Sequence, residues 1–203
     1  MKYISHLDVN RCMQRAVKRA QLPVWYTQGF NPHLYLTFAL PLSLGYESEY
    51  EVMDLRLTQP MACDAVMQRL NEALPEGFHV FRAAKPQEKT GQIARADYLI
   101  RLYGDDLQQL EETFSSFLGQ SELLVEKKTK KGFKTVDLKP EILSFSLQRQ
   151  PEWVALCITL PAGNHNLNPS LFLEAFAHQY PDRLTYGAVT RLAIQTKDGA
   201  LFT

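Results

Sequence analysis

The stretch from residue 28 to residue 51 constrains the fold most, because it places two bends around one apolar run. Gly29 can adopt a positive φ at little steric cost, and Pro32 biases Asn31 toward an extended backbone. The Asn31 side chain can also bond back to the main chain, so we expect a fixed turn here. The apolar run at residues 34–40 predicts a buried strand. A shaped turn leading into a buried strand therefore organises the first half of the chain.

Polar side chains are concentrated at this turn, at a second turn predicted at residues 44–45, and at the start of a helix upstream. Three glutamates follow the second turn at strand spacing, on one face. If both turns lie near the helix start, these side chains line a polar ligand pocket at one end of a sheet. The candidate ligand-binding residues are His6, Gln28, Phe30, Asn31, His33, Glu47, Ser48 and Glu49. Their spacing matches no metal motif, so we expect no metal ion.

The first helix is predicted to begin after Ser5, with Asp8 at the position that completes a pattern close to a capping box. In the alternative to a ligand pocket, these two residues only cap the helix and the glutamates face water. The helix is apolar on one side and basic on the other. That basic side is either a solvated face or a phosphate-contacting face.

A second basic group lies on a hairpin predicted between residues 126 and 148, and one aromatic side chain, Phe133, lies within this group. Such a tip can follow a nucleic-acid backbone while the ring stacks on a base, or its lysines can simply block edge-to-edge sheet pairing. The 22 basic and 22 acidic residues balance, which argues against a general polyanion binder but allows local patches. Candidate nucleic-acid-binding residues on the helix and the hairpin are Arg11, Arg15, Lys18, Arg19, Lys127, Lys128, Lys130, Lys131, Phe133 and Lys134.

The order of predicted elements indicates an α+β protein of two tandem ferredoxin-like (split βαβ) units, each an antiparallel sheet with helices on one face. We expect the first unit at residues 1–85 and the second at 95–203, joined by a polar linker containing Pro and Gly. Residues 1–4 are too few for a full strand, so the first strand of the first sheet is expected to be truncated or missing. The second unit is expected to carry the extra basic hairpin.

Cysteine use and missing motifs exclude several function classes. Cys12, Cys63 and Cys157 stand far apart, so we expect neither a zinc site nor an iron–sulfur cluster, and no cofactor. Reduced thiols, no signal peptide and no apolar run of about 20 residues predict a cytoplasmic chain without a membrane partner. The sequence contains no P-loop, no G-x-G-x-x-G, no G-x-S-x-G and no H-E-x-x-H.

Four short motifs occur in order: I-S-H-L-D at 4–8, L-P-V at 22–24, Q-G-F-N-P-H at 28–33 and G-Y-E-S-E-Y at 45–50. Together with K-G and D-L-K-P near residues 131–140, they resemble the radical-SAM-linked domain family. Members of that family occur as the C-terminal part of radical S-adenosylmethionine (radical SAM) proteins or as separate chains. The resemblance implies a radical SAM enzyme as partner, by fusion or as a separate chain. It assigns no activity to the domain.

Three functional hypotheses follow. The leading one is a non-catalytic accessory module that binds RNA of the tRNA type or presents substrate to a partner enzyme. The alternative is an enzyme or small-ligand binder that uses the polar pocket at the turns, for example a ribonuclease with His6 or His33 as general acid–base. The third is a pure protein-interaction domain. We expect no catalytic residue under the leading hypothesis.

Overall fold

The computed structural model describes residues 2–129 and 132–203. Within them the chain is mixed α+β, and its strands pair antiparallel except for one parallel pair. The helices are α1 (His6–Arg19), α2 (Cys63–Ala73), α3 (Leu107–Gly119) and α4 (Ser170–Gln179). The strands are β1 (Leu36–Phe38), β2 (Glu47–Ser48), β3 (Met53–Leu55), β4 (Ile93–Tyr103), β5 (Leu124–Thr129), β6 (Gly132–Asp137), β7 (Ser144–Arg149), β8 (Val154–Pro161) and β9 (Tyr186–Thr196).

The chain divides into two compact units. The first contains Met1–Tyr46, Glu51–Thr90 and Phe202–Thr203, and the second contains Glu47–Tyr50 and Gly91–Leu201. The sequence pattern suggests 1–85 and 95–203, which leaves residues 47–50 in the first unit. They go with the second because β2 pairs in parallel with β9.

The first unit is built on two helices and a short β-pair. Ser5 caps α1 as the sequence predicts, because its Oγ accepts a hydrogen bond from the Asp8 N–H at 3.2 Å. Strands β1 and β3 form a two-stranded antiparallel sheet. The apolar sides of the helices bury a small core with this pair, made of Val17, Ala20, Leu22, Val24, Leu34, Val66 and Leu70.

The sequence pattern predicts two further strands of this unit, at residues 24–27 and 78–81, and neither is formed. Residues 24–27 make only isolated bridges, Val24 with Leu57 and Tyr26 with Leu34. Residues 78–81 form no strand, because the Asn71 side chain bonds both the N–H and the C=O of Val80, each at 2.8 Å. A side-chain amide thus satisfies the backbone groups that a neighbouring strand would otherwise pair with. Residues 2–5 also precede α1 without forming a strand.

The second unit contains a five-stranded sheet in the order β2-β9-β4-β8-β7. Helix α3 and the separate hairpin β5–β6 lie between β4 and β7 in the chain, and α4 connects β8 to β9. Aromatic rings join the two helices: Phe114 of α3 stacks on Phe176 of α4 at 4.3 Å between centroids, and Phe117 packs edge-on against Phe176. All three rings are buried. They form the centre of a core on one side of the sheet.

Candidate functional site

The turn that the sequence predicts around Gly29 exists and is closed by its own residues. The Thr27 N–H donates to the His33 carbonyl at 2.8 Å, and the His33 N–H donates to the Thr27 Oγ1 at 3.0 Å. Nδ1 of His33 also lies 3.0 Å from that Oγ1 and 3.3 Å from the Asn31 carbonyl oxygen. Gly29 has φ +135°, a conformation that L side chains rarely adopt. Phe30 is fully exposed beside it.

His6, the other predicted histidine, is the first residue of α1 and contacts its neighbours there. Nε2 of His6 lies 2.9 Å from Nδ2 of Asn10, and the His6 ring meets the Phe38 ring edge-on at 5.4 Å. His6 and His33 share no partner in the part of the chain that the structure describes, and Gln28 is exposed at the turn. Among residues 2–129 and 132–203, no three His, Cys, Asp or Glu side chains are grouped to hold a metal ion. These polar groups hold local structure.

The remaining predicted ligand residues belong to the second unit, where they bond to residues of β4 and β9 and to Tyr50. Arg101 Nη2 donates to Glu47 Oε2 at 2.6 Å and to Thr190 Oγ1 at 3.1 Å. Ser48 Oγ donates to the Tyr50 carbonyl at 3.2 Å, while Glu49 is exposed and donates its N–H to the backbone of β9. Three strands therefore meet at one ion pair, which we call the Arg101 cluster (Glu47, Arg101 and Thr190).

The Arg101 cluster leaves part of the guanidinium without a protein partner. An arginine offers five N–H donors, and Nη2 supplies the two that Glu47 and Thr190 accept. Nε–H of Arg101 is buried and has no hydrogen-bond partner among the described residues. A buried donor without a partner costs about 1–3 kcal/mol, so this arrangement does not satisfy the side chain fully.

A stacked pair of tyrosines lies on the same face of the sheet as the Arg101 cluster. Tyr103 and Tyr186 are paired in the β4–β9 register, with ring centroids 6.1 Å apart and planes at 26°. A Cβ at Gly187 would lie 2.7 Å from Leu173 of α4, so Gly187 faces the helices. Because side chains alternate along a strand, Tyr186 faces the other way. We call the side of the sheet that faces away from α3 and α4 the open face.

A chain of hydrogen bonds crosses four strands of the open face. Ser144 Oγ donates to Thr159 Oγ1 at 3.0 Å, and Thr159 Oγ1 donates to Asp97 Oδ1 at 2.7 Å. Gln195 Nε2 donates to the other Asp97 oxygen at 2.5 Å. The open face is thus polar and cross-linked.

Apart from Glu47, the residues of the open face are not among those predicted from the sequence. The signal was present in β4, where Ala96, Tyr98, Ile100 and Leu102 alternate with polar or half-buried residues. That alternation predicts a strand with one polar face. Its partners could not be read from β4 alone, because Glu47 and Thr190 lie far away in the chain on either side.

The basic residues of α1 are exposed, as predicted for either a solvated or a binding face. Arg11 pairs with Asp8 at 3.0 Å, and Arg19 Nη2 donates to the Ala73 carbonyl of α2 at 2.6 Å. Arg15 and Lys18 lie between these two arginines in the sequence and about one helical turn from each other. Neither has a hydrogen bond or ion pair among the described residues. Two cations therefore remain uncompensated on one side of α1.

The basic hairpin is described in its strands. In the β5–β6 register Lys127 lies opposite Lys134, and Lys128 lies opposite Phe133. Lys130 and Lys131, which the sequence pattern places at the tip, lie outside the described residues. Like charges directly opposite each other in an antiparallel pair are destabilising.

Two carboxyl groups of the first unit have pKa values shifted in opposite directions. The Ser5 hydroxyl donates to Asp8 and, together with Arg11, lowers the pKa of that carboxyl. Burial raises the pKa of Asp54 on β3. The first shift belongs to the α1 cap and the second to the small sheet, so neither marks a catalytic group.

Comparison with known proteins assigns a family. No helix in the described part of the chain is long and apolar enough to cross a bilayer. No curated protein matches the chain. A family described as "uncharacterized protein conserved in bacteria" (DUF2344) matches residues 1–191, which is most of the sequence. The chain therefore belongs to the DUF2344 family of bacterial proteins.

Proposed function

We propose that this protein is a non-catalytic binding module that holds structured RNA and presents it to a radical SAM partner enzyme. The observation that carries the proposal is the exposed basic side of α1, where Arg15 and Lys18 have no compensating partner among the described residues. Exposed cationic side chains bind nucleic-acid phosphates favourably, because each contact releases counterions that were condensed on the nucleic acid.

The arrangement of charge on α1 supports a polyanionic partner. Arg15 stands four residues from both Arg11 and Arg19, and like charges at this spacing destabilise a helix by about 0.2–0.5 kcal/mol per pair. Asp8 is the single acidic residue of the helix and is bonded to Ser5 and Arg11. A helix that keeps this repulsion gains from a ligand that supplies negative charge.

The basic hairpin is the second contact region in this proposal. Lys127 and Lys134 are opposite each other in the backbone register, within a run of lysines that phosphates attract. Lys128 opposite Phe133 combines a cation with a ring that can stack on a base. Lys130 and Lys131 extend the same charge run in the sequence.

The absence of catalysis is part of the proposal. His6 is bonded to Asn10, and His33 is bonded to Thr27 in the turn. A general acid–base pair needs groups within hydrogen-bond reach of one reacting atom. The two imidazoles have separate local partners, which favours binding over ribonuclease chemistry.

The radical SAM partner follows from the sequence motifs and from the cysteines. Cys12 lies in α1, Cys63 begins α2, and Cys157 lies exposed in β8. They do not supply the closely spaced thiolates that hold an iron–sulfur cluster. We infer that a partner supplies the cluster, either fused to this domain or as a separate chain in the cytoplasm.

We further infer a ferredoxin-like arrangement for the second unit. Its strands β4, β7, β8 and β9 stand in the order β9-β4-β8-β7 with antiparallel neighbours, and α3 and α4 lie in the two crossovers. This is the split βαβ pattern. In its described part the first unit has only the β1–β3 pair. The ferredoxin-like arrangement is therefore supported for the second unit, and the tandem of two such units stays a prediction.

The test is a binding measurement with unfractionated tRNA at low ionic strength. The double variant Arg15→Glu with Lys18→Glu should weaken binding by tenfold or more, because it removes two phosphate-binding cations and adds repulsion. Arg82→Glu with Lys85→Glu is the matched control, since both residues are exposed in the same unit and the charge change is equal. An equal decrease in both variants, or no binding by the unaltered protein, contradicts the proposal.

A protein-interaction role is the second candidate, and the exposure of Phe30 favours it. A fully exposed aromatic ring on a turn closed by Thr27 and His33 has the rigidity of an interface anchor. Phe30→Ala should then reduce co-purification with a co-expressed radical SAM enzyme, while leaving tRNA binding unchanged. Retained co-purification would remove Phe30 from that role.

A further inference from the structure

The open face of the second unit combines an aromatic pair with an incompletely bonded arginine. Arg101 and Tyr103 are two residues apart on β4, about 7 Å along the strand, and therefore on the same face. Tyr186 completes the pair from β9 and is 44% exposed. An exposed ring surface thus lies next to a cation that is already held in place.

We propose that this end of the open face is a nucleotide subsite, in which the Tyr103–Tyr186 pair stacks on an unpaired base and Arg101 binds the attached phosphate. This inference rests on the proposed function, because it names which part of an RNA the module takes at this place. The ligand class is a single-stranded segment, a loop or an end, since duplex bases cannot stack on a protein ring.

The tyrosine geometry suits a base. The two rings are near parallel at 26° with centroids 6.1 Å apart, so a base can stack on the outer face of the pair at the more exposed ring, Tyr186. Every base has a π-face, and stacking on aromatic side chains is tolerant of sequence. The subsite therefore selects an unpaired nucleotide without reading its identity.

The bonding of Arg101 suits a phosphate. Glu47 and Thr190 fix Nη2, while Nε–H has no partner among the described residues. Nη1 makes no hydrogen bond to a described residue and is not buried, so a phosphate oxygen can accept a charge-assisted hydrogen bond from it. The bonds of Nη2 to Glu47 and Thr190 hold the side chain on the open face while Nη1 binds the phosphate.

The contacts of Glu47 explain why one carboxylate does not exclude the anion. Its Oε2 is engaged by Arg101 at 2.6 Å and is approached by the Thr190 hydroxyl at 3.4 Å. An engaged carboxylate repels a phosphate less than a free one. Glu47→Gln should accordingly strengthen nucleotide binding, which a purely structural ion pair would not do.

The first experiment reads the subsite without RNA. Adenosine 5′-monophosphate is titrated into the full chain while the aromatic NMR signals of Tyr103 and Tyr186 are followed. Saturable upfield shifts of both rings are expected, and Arg101→Met should abolish them because it removes the guanidinium that binds the phosphate. Shifts that are equal in Arg101→Met, or rings that do not respond, overturn the subsite.

The second experiment uses oligouridylate of ten nucleotides and an RNA duplex of equal length. Tyr186→Ala should weaken oligouridylate binding roughly tenfold and leave duplex binding unchanged, whereas Tyr186→Phe should bind like the unaltered protein because the ring remains. Tyr26→Ala is the matched control, since Tyr26 is 45% exposed but belongs to the first unit. Equal binding by Tyr186→Ala and the unaltered protein overturns the subsite.

The two proposals fail in different ways. If Arg15→Glu with Lys18→Glu abolishes tRNA binding while Tyr186→Ala keeps oligouridylate binding, the nucleotide subsite is wrong and RNA binding stands. If tRNA does not bind but the mononucleotide still shifts the tyrosine signals, the subsite stands and the proposed function is wrong.

Discussion

The turn around Gly29 and the open face of the second unit are both polar and aromatic, but they are built in opposite ways. The turn is closed by residues six positions apart, Thr27 and His33, so its shape comes from its own sequence. The open face joins Glu47, Arg101 and Thr190, which lie on three strands. In the turn, the polar groups are bonded to one another. On the open face, a donor of Arg101 is left over.

The turn therefore has a fixed shape, whereas the open face has polar groups that can still bind a ligand. A turn that satisfies its own polar groups gains a fixed conformation, and its exposed Phe30 is then the group left for a partner. A sheet face whose side chains come from distant strands depends on the core behind it. Because its bonding is incomplete, it can still gain from a ligand.

The largest expected effect tests this dependence on the core. Phe176→Ala removes a buried ring that contacts Phe114 and Phe117, and should lower the free energy of unfolding of the second unit by about 3–5 kcal/mol. Urea unfolding is followed by Trp153 fluorescence in a Trp25→Phe background, and by Trp25 in a Trp153→Phe background. An unchanged Trp153 transition would contradict the assignment of this core.

The next effect tests whether the turn depends on its own backbone. Gly29→Ala places a Cβ at φ +135° and should cost about 1–3 kcal/mol, read by Trp25. Gly91→Ala, read by Trp153 because Gly91 belongs to the second unit, is the control, since it also has no atom within 4 Å of the added Cβ but lacks a positive φ. Equal effects of the two substitutions would show that backbone strain at Gly29 is not what shapes the turn.

A smaller effect is expected at the Arg101 cluster. Arg101→Met keeps the aliphatic stem and removes the bonds to Glu47 and Thr190, and should cost about 1 kcal/mol in the second unit. The double variant Arg101→Met with Glu47→Gln should recover part of this stability, since no unpaired charge remains. A double variant as unstable as the sum of both single changes would show that the ion pair has no coupling energy.

The smallest effects are two pH dependences of opposite sign within the first unit. The lowered pKa of Asp8 adds stability above its unfolded pKa of 3.8, and this is lost as pH falls through the folded pKa. The raised pKa of Asp54 means that stability falls as pH rises from 3.8 through its folded pKa. The melting temperature of each variant minus that of the unaltered protein, followed from pH 2.5 to 7, should therefore change in opposite directions for Asp8→Asn and Asp54→Asn. Parallel curves would contradict the assigned causes.

The features that could be predicted from the sequence are those fixed by residues close together in the chain. The Ser5 cap needs only residues within one helical turn, and the turn at Gly29 needs only a glycine and its neighbours. The prediction was wrong at residues 78–81, where an apolar pattern predicted a strand but the Asn71 side chain bonds the backbone of Val80. That interaction depends on where α2 comes to lie, which no local pattern contains.

The candidate site shows the same limit more strongly. Glu47 was placed with the histidines of the first unit because it follows a turn near them in sequence. Its side chain instead pairs with Arg101, because β2 lies beside β9. A two-residue strand paired with the far end of the chain has no periodicity of its own, so only the assembled sheet reveals it.

The measurement that tests the central claim most directly is the salt dependence of tRNA binding. The slope of log K against log salt concentration is determined for the unaltered protein and for Arg15→Glu with Lys18→Glu. A protein that neutralises phosphates should give a clearly negative slope, and the double variant should reduce its magnitude by about 1.4–1.8, roughly 0.7–0.9 for each phosphate that is no longer neutralised. Identical slopes for the two proteins, or a slope near zero for the unaltered one, would contradict RNA binding through α1.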